Sequence, residues 1–130
     1  FFKHNSVTVD RSSLKDTYAA FLEAGEKLDQ GLNICIFPEG GIPKSSIFLK
    51  KFKNGAFRLA LEKKIDVVPI TLADNKRIFP QEYYKGFPWR VRVKVHKSIK
   101  SISNHKNAIE NLNTSVYNII FEQLKQYESK

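Results

Sequence analysis

The chain has 130 residues, enough for one domain with a real core but few for a complete α/β enzyme. Hydrophobic residues make up 42% and aromatic residues 12%, so the composition excludes a disordered chain. The formal net charge of +9 favours an anionic partner, which is a phosphorylated substrate, a phospholipid surface, an acidic carrier protein or a nucleic acid.

The first predicted strand is Val7-Thr8-Val9, which ends in Asp10 and Arg11. Ser12 or Ser13 is then positioned to cap a helix of about four turns. Gly31 supplies the C-terminal stop of this helix. Its apolar stripe predicts a helix that covers a sheet and contains no site.

The second predicted strand is the apolar run 34–37, which we expect to be buried. Pro38 cannot donate to a central ladder, so pairing ends there and Glu39, Gly40 and Gly41 lie at the C-terminal end of the strand. In open α/β sheets ligands bind at that edge, and paired glycines let a ligand approach the backbone closely. The alternative is an ordinary tight turn in which Glu39 is merely solvated.

The third predicted strand, 67–71, has Pro69 in its interior and follows a short helix that Asn54 is expected to cap. The apolar side chains of this helix are expected to pack inward as one stripe, formed by Ala56, Phe57, Leu59, Ala60 and Leu61. The resulting β-α-β-α-β order predicts an α/β fold with a mainly parallel sheet and helices on its faces. In such a sheet Arg11, Glu39 and the two glycines lie on one edge.

The C-terminal half is predicted to complete the same single domain, 1–130. The run 90–95 alternates basic and apolar residues, which is typical of a strand near an edge with its basic face in water. From Ser103 onward an amphipathic stripe predicts a long closing helix with Asn104 as its cap. No internal repeat or domain boundary is visible.

Four motifs in chain order carry a resemblance to a known family. They are Val-Asp-Arg at 9–11, Phe-Pro-Glu-Gly at 37–40, Phe-Lys-Asn-Gly-Ala-Phe-Arg-Leu-Ala at 52–60 and Val-Val-Pro-Ile at 67–70. Together they resemble the 1-acylglycerol-3-phosphate (lysophosphatidate) acyltransferases of bacterial membranes. The resemblance implies a glycerolphosphate acyltransferase-like αβ fold. It also implies transfer of an acyl group from acyl-CoA or acyl carrier protein to the free hydroxyl of lysophosphatidic acid, with no cofactor or metal.

The resemblance assigns acceptor binding to residues at the ends of the first two predicted strands. Arg11 is expected to bind the glycerol phosphate, because a guanidinium stays charged and can bind two oxygens at once; the alternative is a structural salt bridge with Asp10 or Glu39. Since a carboxylate repels phosphate, Glu39 is expected to orient Arg11 or to accept a hydrogen bond from the glycerol hydroxyl or backbone. Gly40 and Gly41 are expected to offer backbone N–H groups to the anion.

Two positions are open between a functional and a plain interpretation. The family pattern continues Phe-Pro-Glu-Gly with Thr-Arg-Ser, whereas here the sequence 41–45 is Gly-Ile-Pro-Lys-Ser. Lys44 either supplies the missing positive charge or is a solvated loop lysine. Pro69 either shapes the strand end near the acyl tunnel or is a simple strand irregularity.

The catalytic pair of the family is expected outside this chain. Family members use a His as general base and an Asp with four residues between them, whereas His4 and Asp10 have five between them. Because the chain also lacks methionine, we expect a fragment that is incomplete at its N-terminal side, is inactive alone and has its His and Asp upstream of Phe1. His96 and His105 are predicted to be surface histidines.

A basic, aromatic segment suggests contact with an anionic membrane surface. Phe48, Leu49 and Phe52 lie among lysines and, with the aromatic residues of 79–89, suit a lipid headgroup layer; the alternative is that they belong to the core. No apolar run approaches the roughly 18 residues that cross a bilayer. The family resemblance implies a location on the cytoplasmic face of the bacterial inner membrane, peripheral or anchored by segments absent here.

Three further expectations follow from the sequence. Cys35, inside the second predicted strand, is expected to be a buried thiol in a reducing compartment, with a nucleophilic role as the alternative. A basic nucleic-acid-binding module is the alternative function, although no recognition helix or zinc signature accompanies the charge; a phosphate-ester hydrolase using Glu39 ranks below it. Truncation is expected to expose an apolar face and to favour self-association.

Overall fold

The computed structural model of the chain describes residues 14–41, 46–78, 80, 86, 88, 90–102 and 106–129. The chain divides into two compact units, Phe1–Ile36 and Phe37–Lys130. The elements found in the described residues are α1 (Leu14–Asp29), α2 (Gly55–Lys63), β1 (Ile70–Leu72), α3 (Asn75–Ile78), β2 (Val93–Val95) and α4 (Ala108–Glu128).

In the first unit, α1 ends where the sequence predicts. The N–H of Gly31 donates to the carbonyl of Leu28 at 2.9 Å, and the N–H of Leu32 donates to that of Lys27 at 3.1 Å. Gly31 has a φ of +80°, which glycine adopts without steric cost. The two hydrogen bonds satisfy carbonyls that the last turn of the helix would otherwise leave unpaired.

The apolar run 34–37 is neither helix nor strand, so the prediction of a buried strand there is wrong. Ile36 and Phe37 are exposed, and Cys35 is a free, exposed cysteine rather than a buried thiol. An apolar run forms a strand only when a neighbouring strand supplies ladder partners, because β-propensity depends on context. Its expected partner, the segment 7–9, lies outside the described residues.

The core of the second unit lies between α2 and α4. Phe57, Ala60 and Leu61 of α2 pack against Leu112 and Val116 of α4. Burial of each large apolar side chain stabilises the fold by about 1.5–3 kcal/mol. The inward-facing stripe predicted for α2 is confirmed, and two members of the α4 stripe are confirmed with it.

The sheet in the described residues is antiparallel and two-stranded. β1 pairs with β2 so that Ile70 lies opposite Val95, Thr71 opposite Lys94 and Leu72 opposite Val93. Both strands lie in runs where the sequence predicts strands, but the described residues do not confirm a mainly parallel sheet. A parallel neighbour of β1 would have to come from the earlier predicted strands, and of these 34–37 forms no strand while 7–9 is outside the described residues.

The two faces of this sheet differ from the predicted pattern. Thr71 is fully buried, whereas Val95 on the opposite face is 63% exposed. The alternation in 90–95 predicts valines on the core and basic residues in water, so the exposure of the valines is a correction. We call the exposed side the apolar sheet face, which consists of Val68, Ile70, Leu72, Val91, Val93 and Val95.

The closing helix begins later than predicted. It runs from Ala108 to Glu128 rather than from Ser103, and its cap position is Asn107, whose side chain makes no capping hydrogen bond. The expected cap, Asn104, lies outside the described residues. Within the described part of the chain, no helix is both long and apolar enough to span a membrane.

Candidate functional site

The Phe-Pro-Glu-Gly motif folds into a tight turn. The N–H of Gly40 donates to the carbonyl of Phe37 at 3.2 Å, with Pro38 and Glu39 at the two central positions. Proline suits the first central position because its φ is preset. The Gly40 N–H, which the sequence offers as an anion ligand, is therefore engaged inside the turn.

A second loop, residues 46–53, crosses this turn and is tied to it at two points. The N–H of Lys53 donates to the carbonyl of Pro38 at 2.8 Å. The N–H of Lys50 donates to Oε2 of Glu39 at 3.2 Å. Glu39 is half-buried and accepts a backbone hydrogen bond, which is one of the roles the sequence suggests, and it is not simply solvated. The carboxylate thus joins the two loops.

Gly40 is also the point where a side chain from the second loop comes closest to the turn. A Cβ at this position would lie 2.7 Å from Cε of Lys53, 2.9 Å from Cδ and 3.2 Å from Nζ. The φ of Gly40 is +67°, a left-handed value that other residues rarely adopt. The backbone conformation therefore favours glycine here, and the flexible end of the Lys53 side chain would have to shift to admit another residue.

Aromatic side chains anchor the second loop to α4. The ring of Phe48 meets Phe121 edge to face at 5.2 Å, and Phe52 meets Tyr117 in the same way at 5.1 Å. The hydroxyl of Tyr117 also donates to the carbonyl of Leu49 at 3.4 Å. Phe48 and Phe52 therefore pack against the protein, which supports the core interpretation for these two side chains over insertion into lipid.

Asn113 extends this anchor to the end of the loop. Its Nδ2 donates to the carbonyl of Phe52 at 3.2 Å and to Oδ1 of Asn54 at 2.6 Å. Asn54 stands at the N-cap of α2 as predicted, but its side chain makes no capping hydrogen bond. The sequence analysis missed Asn113, although its spacing of four from Tyr117 and again from Phe121 was a signal that the three share one face of α4.

The structure brings together only part of the predicted acceptor site. Glu39, Gly40 and Gly41 lie consecutively in and just after the turn, whereas Arg11 and Lys44 fall outside the described residues. Pro69 is buried before β1, and its carbonyl accepts the N–H of His96 at 3.0 Å, so it belongs to the sheet.

His96 is not the surface histidine that the sequence predicts. It is half-buried, and its Nε2 lies 2.9 Å from the hydroxyl of the fully buried Thr71. The pKa of His96 is lowered, first because burial penalises the charged ring and second because the Lys94 ammonium repels it. The ring is therefore a hydrogen-bond partner of the buried Thr71 hydroxyl.

An ion pair next to the sheet was not evident in the sequence. The Arg92 side chain donates two hydrogen bonds to Asp74, from Nη2 to Oδ1 at 2.7 Å and from Nε to Oδ2 at 2.8 Å. The Asp74 side chain is only 2% exposed. Arg92 also donates to the carbonyl of Tyr127 at 3.2 Å and lies over its ring at 4.6 Å. Side-chain hydrogen bonding to Asp74 is the main cause of the raised pKa of Arg92.

The fold matches that of a solved structure. The chain superimposes on the crystal structure of the 1-acyl-sn-glycerophosphate (LPA) acyltransferase PlsC from Thermotoga maritima with a TM-score of 0.73, at 22% identity over 85% of this chain and 45% of that one. At this identity the similarity establishes the fold. The described residues therefore have an acyltransferase-type architecture, which confirms the fold family that the motifs imply.

The sequence comparisons identify the family. The family model described as Acyltransferase matches residues 2–73, more than half of the chain. The chain belongs to the acyltransferase family.

Two curated relatives match almost the whole chain. They are the probable 1-acyl-sn-glycerol-3-phosphate acyltransferase of Mycoplasma pneumoniae, 24% identical over 93% of this chain, and the 1-acyl-sn-glycerol-3-phosphate acyltransferase of Borreliella burgdorferi, 26% identical over 92%. The matched regions cover 48% and 47% of those proteins, so the chain spans about half the length of these relatives.

Proposed function

We propose that the complete gene product transfers an acyl group to the free hydroxyl of 1-acylglycerol-3-phosphate, making phosphatidic acid for phospholipid biosynthesis. The donor is acyl-CoA or acyl carrier protein, and no cofactor or metal takes part. Family membership and the names of the relatives support this reaction. The structural observation that carries the proposal is the Phe-Pro-Glu-Gly turn, held in place by the loop that crosses it.

The fixed turn suits an acceptor site more than a reaction centre. Glu39 is committed to the N–H of Lys50, so its negative charge is held on the side of the second loop. Arg11 is the proposed phosphate ligand, since a guanidinium binds two phosphate oxygens at once. Gly41 and Lys44 are proposed to line the same site. Pro69 is proposed to shape the strand end near the acyl tunnel.

The general base is proposed to be a His, paired with an Asp after four intervening residues, in the part of the gene product outside these 130 residues. His96 does not suit this role. Its Nε2 already shares a hydrogen bond with Thr71 and its ring is half-buried, so it has little access to an acceptor hydroxyl. The isolated chain is therefore expected to bind the acceptor without turning it over.

The protein is further proposed to act at an anionic membrane surface, on the cytoplasmic face of the bacterial inner membrane. Because Phe48 and Phe52 pack against α4, the contact would be made by lysines such as the exposed Lys51. Such an attraction is electrostatic, and co-sedimentation with anionic but not neutral vesicles should weaken as salt is raised. Residues 1–130 are further proposed to belong to a single acyltransferase domain with a mainly parallel sheet, incomplete at its N-terminal side.

The test is an acyl-transfer assay on the complete gene product with lysophosphatidate as acceptor and either acyl-CoA or acylated acyl carrier protein as donor. Formation of phosphatidate supports the proposal, and its absence with both donors contradicts it. Arg11→Ala is expected to lower kcat/KM for lysophosphatidate by about 10- to 100-fold, the usual effect of removing one hydrogen bond to a charged group. Arg58→Ala, at an exposed arginine of α2, is the matched control and should retain full activity.

A further inference from the structure

The side chain of Lys53 lies across the Phe-Pro-Glu-Gly turn. Its Cδ and Cε come within 3 Å of the position that a Cβ of Gly40 would occupy, and Nζ lies 3.2 Å from that position. The backbone of the same residue is fixed by the 2.8 Å hydrogen bond from its N–H to Pro38. The backbone of Lys53 is therefore fixed at the turn, and its ammonium lies next to Gly40.

Within the described residues, the Lys53 ammonium forms no ion pair with a carboxylate. The ion pairs within the described residues join Lys27 to Glu23, Arg58 to Glu62, Arg92 to Asp74 and Lys125 to Glu122. Glu39, the acidic residue of the turn, instead accepts the N–H of Lys50. Lys53 is exposed, so a soluble anion or a lipid headgroup can reach it.

The backbone N–H of Gly40 is not directed toward an anion at this turn. The N–H of Gly40 already donates to Phe37, so it is directed into the turn rather than toward a ligand. An anion bound at this turn would need a cation beside it, and the Lys53 ammonium lies next to Gly40.

We propose that the Lys53 ammonium binds the phosphate of the acceptor at this turn. A lysine is suited to this as a compact point charge with three donors. Gly40 is then required because any side chain there would displace the lysine stem. This inference rests on the proposed function, since it names a residue that recognises the same substrate.

The experiment compares Lys53→Met with Lys100→Met in the complete gene product. Methionine keeps an unbranched stem over Gly40 and removes the charge, while Lys100 is an exposed lysine outside the turn and the second loop. Lys53→Met should raise KM for lysophosphatidate about 10- to 100-fold. KM for the acyl donor and activity on monoacylglycerol, which has no phosphate, should change little. Lys53→Arg should restore most of the lost affinity, and Lys100→Met should match the wild type.

A binding measurement separates the two proposals. Isothermal titration calorimetry with glycerol 3-phosphate should show weaker binding by Lys53→Met than by Lys100→Met, whether or not acyl transfer occurs. If the wild type is active and the two variants have equal KM values for lysophosphatidate, the role of Lys53 is overturned and the proposed reaction stands. If the wild type shows no acyl transfer but Lys53→Met binds glycerol 3-phosphate more weakly than the wild type, the proposed reaction is overturned and the phosphate site stands. If Lys53→Met fails to fold, Lys53→Gln takes its place in the same comparison.

Discussion

At the residue scale, two glycines of the second unit differ in what they tolerate. Gly40 combines a φ of +67° with close contact to Lys53, whereas a Cβ on Gly55 would meet nothing within 4 Å. Gly40 thus has two reasons to be glycine. Gly55 begins α2, where another residue can adopt the helical conformation.

We expect Gly40→Ala to lower the free energy of unfolding by about 1–2 kcal/mol, because the left-handed backbone is strained with a side chain and Lys53 must move. Gly55→Ala is the control and should be neutral or stabilising by up to about 1 kcal/mol, since alanine favours helix. Urea denaturation monitored by circular dichroism measures both. Equal effects of the two substitutions would contradict the importance of the Lys53 contact.

His96 predicts a dependence of stability on pH. Its pKa is lower in the folded protein than the ordinary 6.5, so the unfolded chain takes up the proton first as pH falls. The stability it contributes is complete above about pH 6.5 and is lost as the pH falls through the lowered folded-state pKa. Urea midpoints at pH 7.5 and 5 should therefore differ less in His96→Gln than in the wild type, while Lys97→Gln, at an exposed neighbour, should keep the wild-type difference.

At the element scale, the described loops depend on α4 for their position. One face of this helix presents Asn113, Tyr117 and Phe121, which bind or pack against residues of the segment 48–54. That segment in turn donates to Pro38 and Glu39 of the turn. A helix near the C-terminus therefore supports a motif some 75 residues earlier in the sequence.

Asn113→Ala is expected to lower the free energy of unfolding by about 1–3 kcal/mol, because it removes two hydrogen bonds and leaves a loop carbonyl without its donor. Amide exchange in the segment 48–54 should also become faster. Asn118→Ala, at an exposed position of the same helix, should have little effect on either measurement. Unchanged exchange in Asn113→Ala would indicate that the aromatic contacts alone hold the loop.

Local periodicity predicted α1, α2, α4 and the positions of two of the four expected strands, and non-local contacts account for much of what it missed. The apolar stripe of α2 and the glycine stop of α1 are local signals, and the structure confirms both. The run 34–37 has strand composition but lacks ladder partners among the described residues. The links from Glu39 to Lys50 and from Asp74 to Arg92 join residues far apart in sequence, and neither side shows a pattern that identifies its partner.

At the scale of the whole molecule, the apolar sheet face is an unusual surface for a chain with a net charge of +9. Its six aliphatic side chains are all more than a third exposed. The sequence predicts self-association, and this face provides apolar area that burial would stabilise. The prediction concerns the isolated chain of 130 residues.

We expect the isolated chain to sediment as a dimer or larger species at high concentration. Val93→Lys, in the middle of the apolar sheet face, should shift the distribution toward monomer because a second copy would have to desolvate the new charge. Thr114→Lys, at an exposed position of α4, adds the same charge elsewhere and is the control. A clean monomer of the unmodified chain at high concentration in analytical ultracentrifugation would contradict this expectation.

The contact between Arg92 and Tyr127 has a practical consequence for handling the protein. The guanidinium that holds Asp74 also depends on the carbonyl and ring of a residue in the final turn of α4. A purification tag fused directly after that turn, or a deletion that trims it, would disturb the ion pair beside the sheet. Affinity handles are therefore better separated from the C-terminal helix by a flexible spacer, and stability data from shortened versions should be compared with the intact helix.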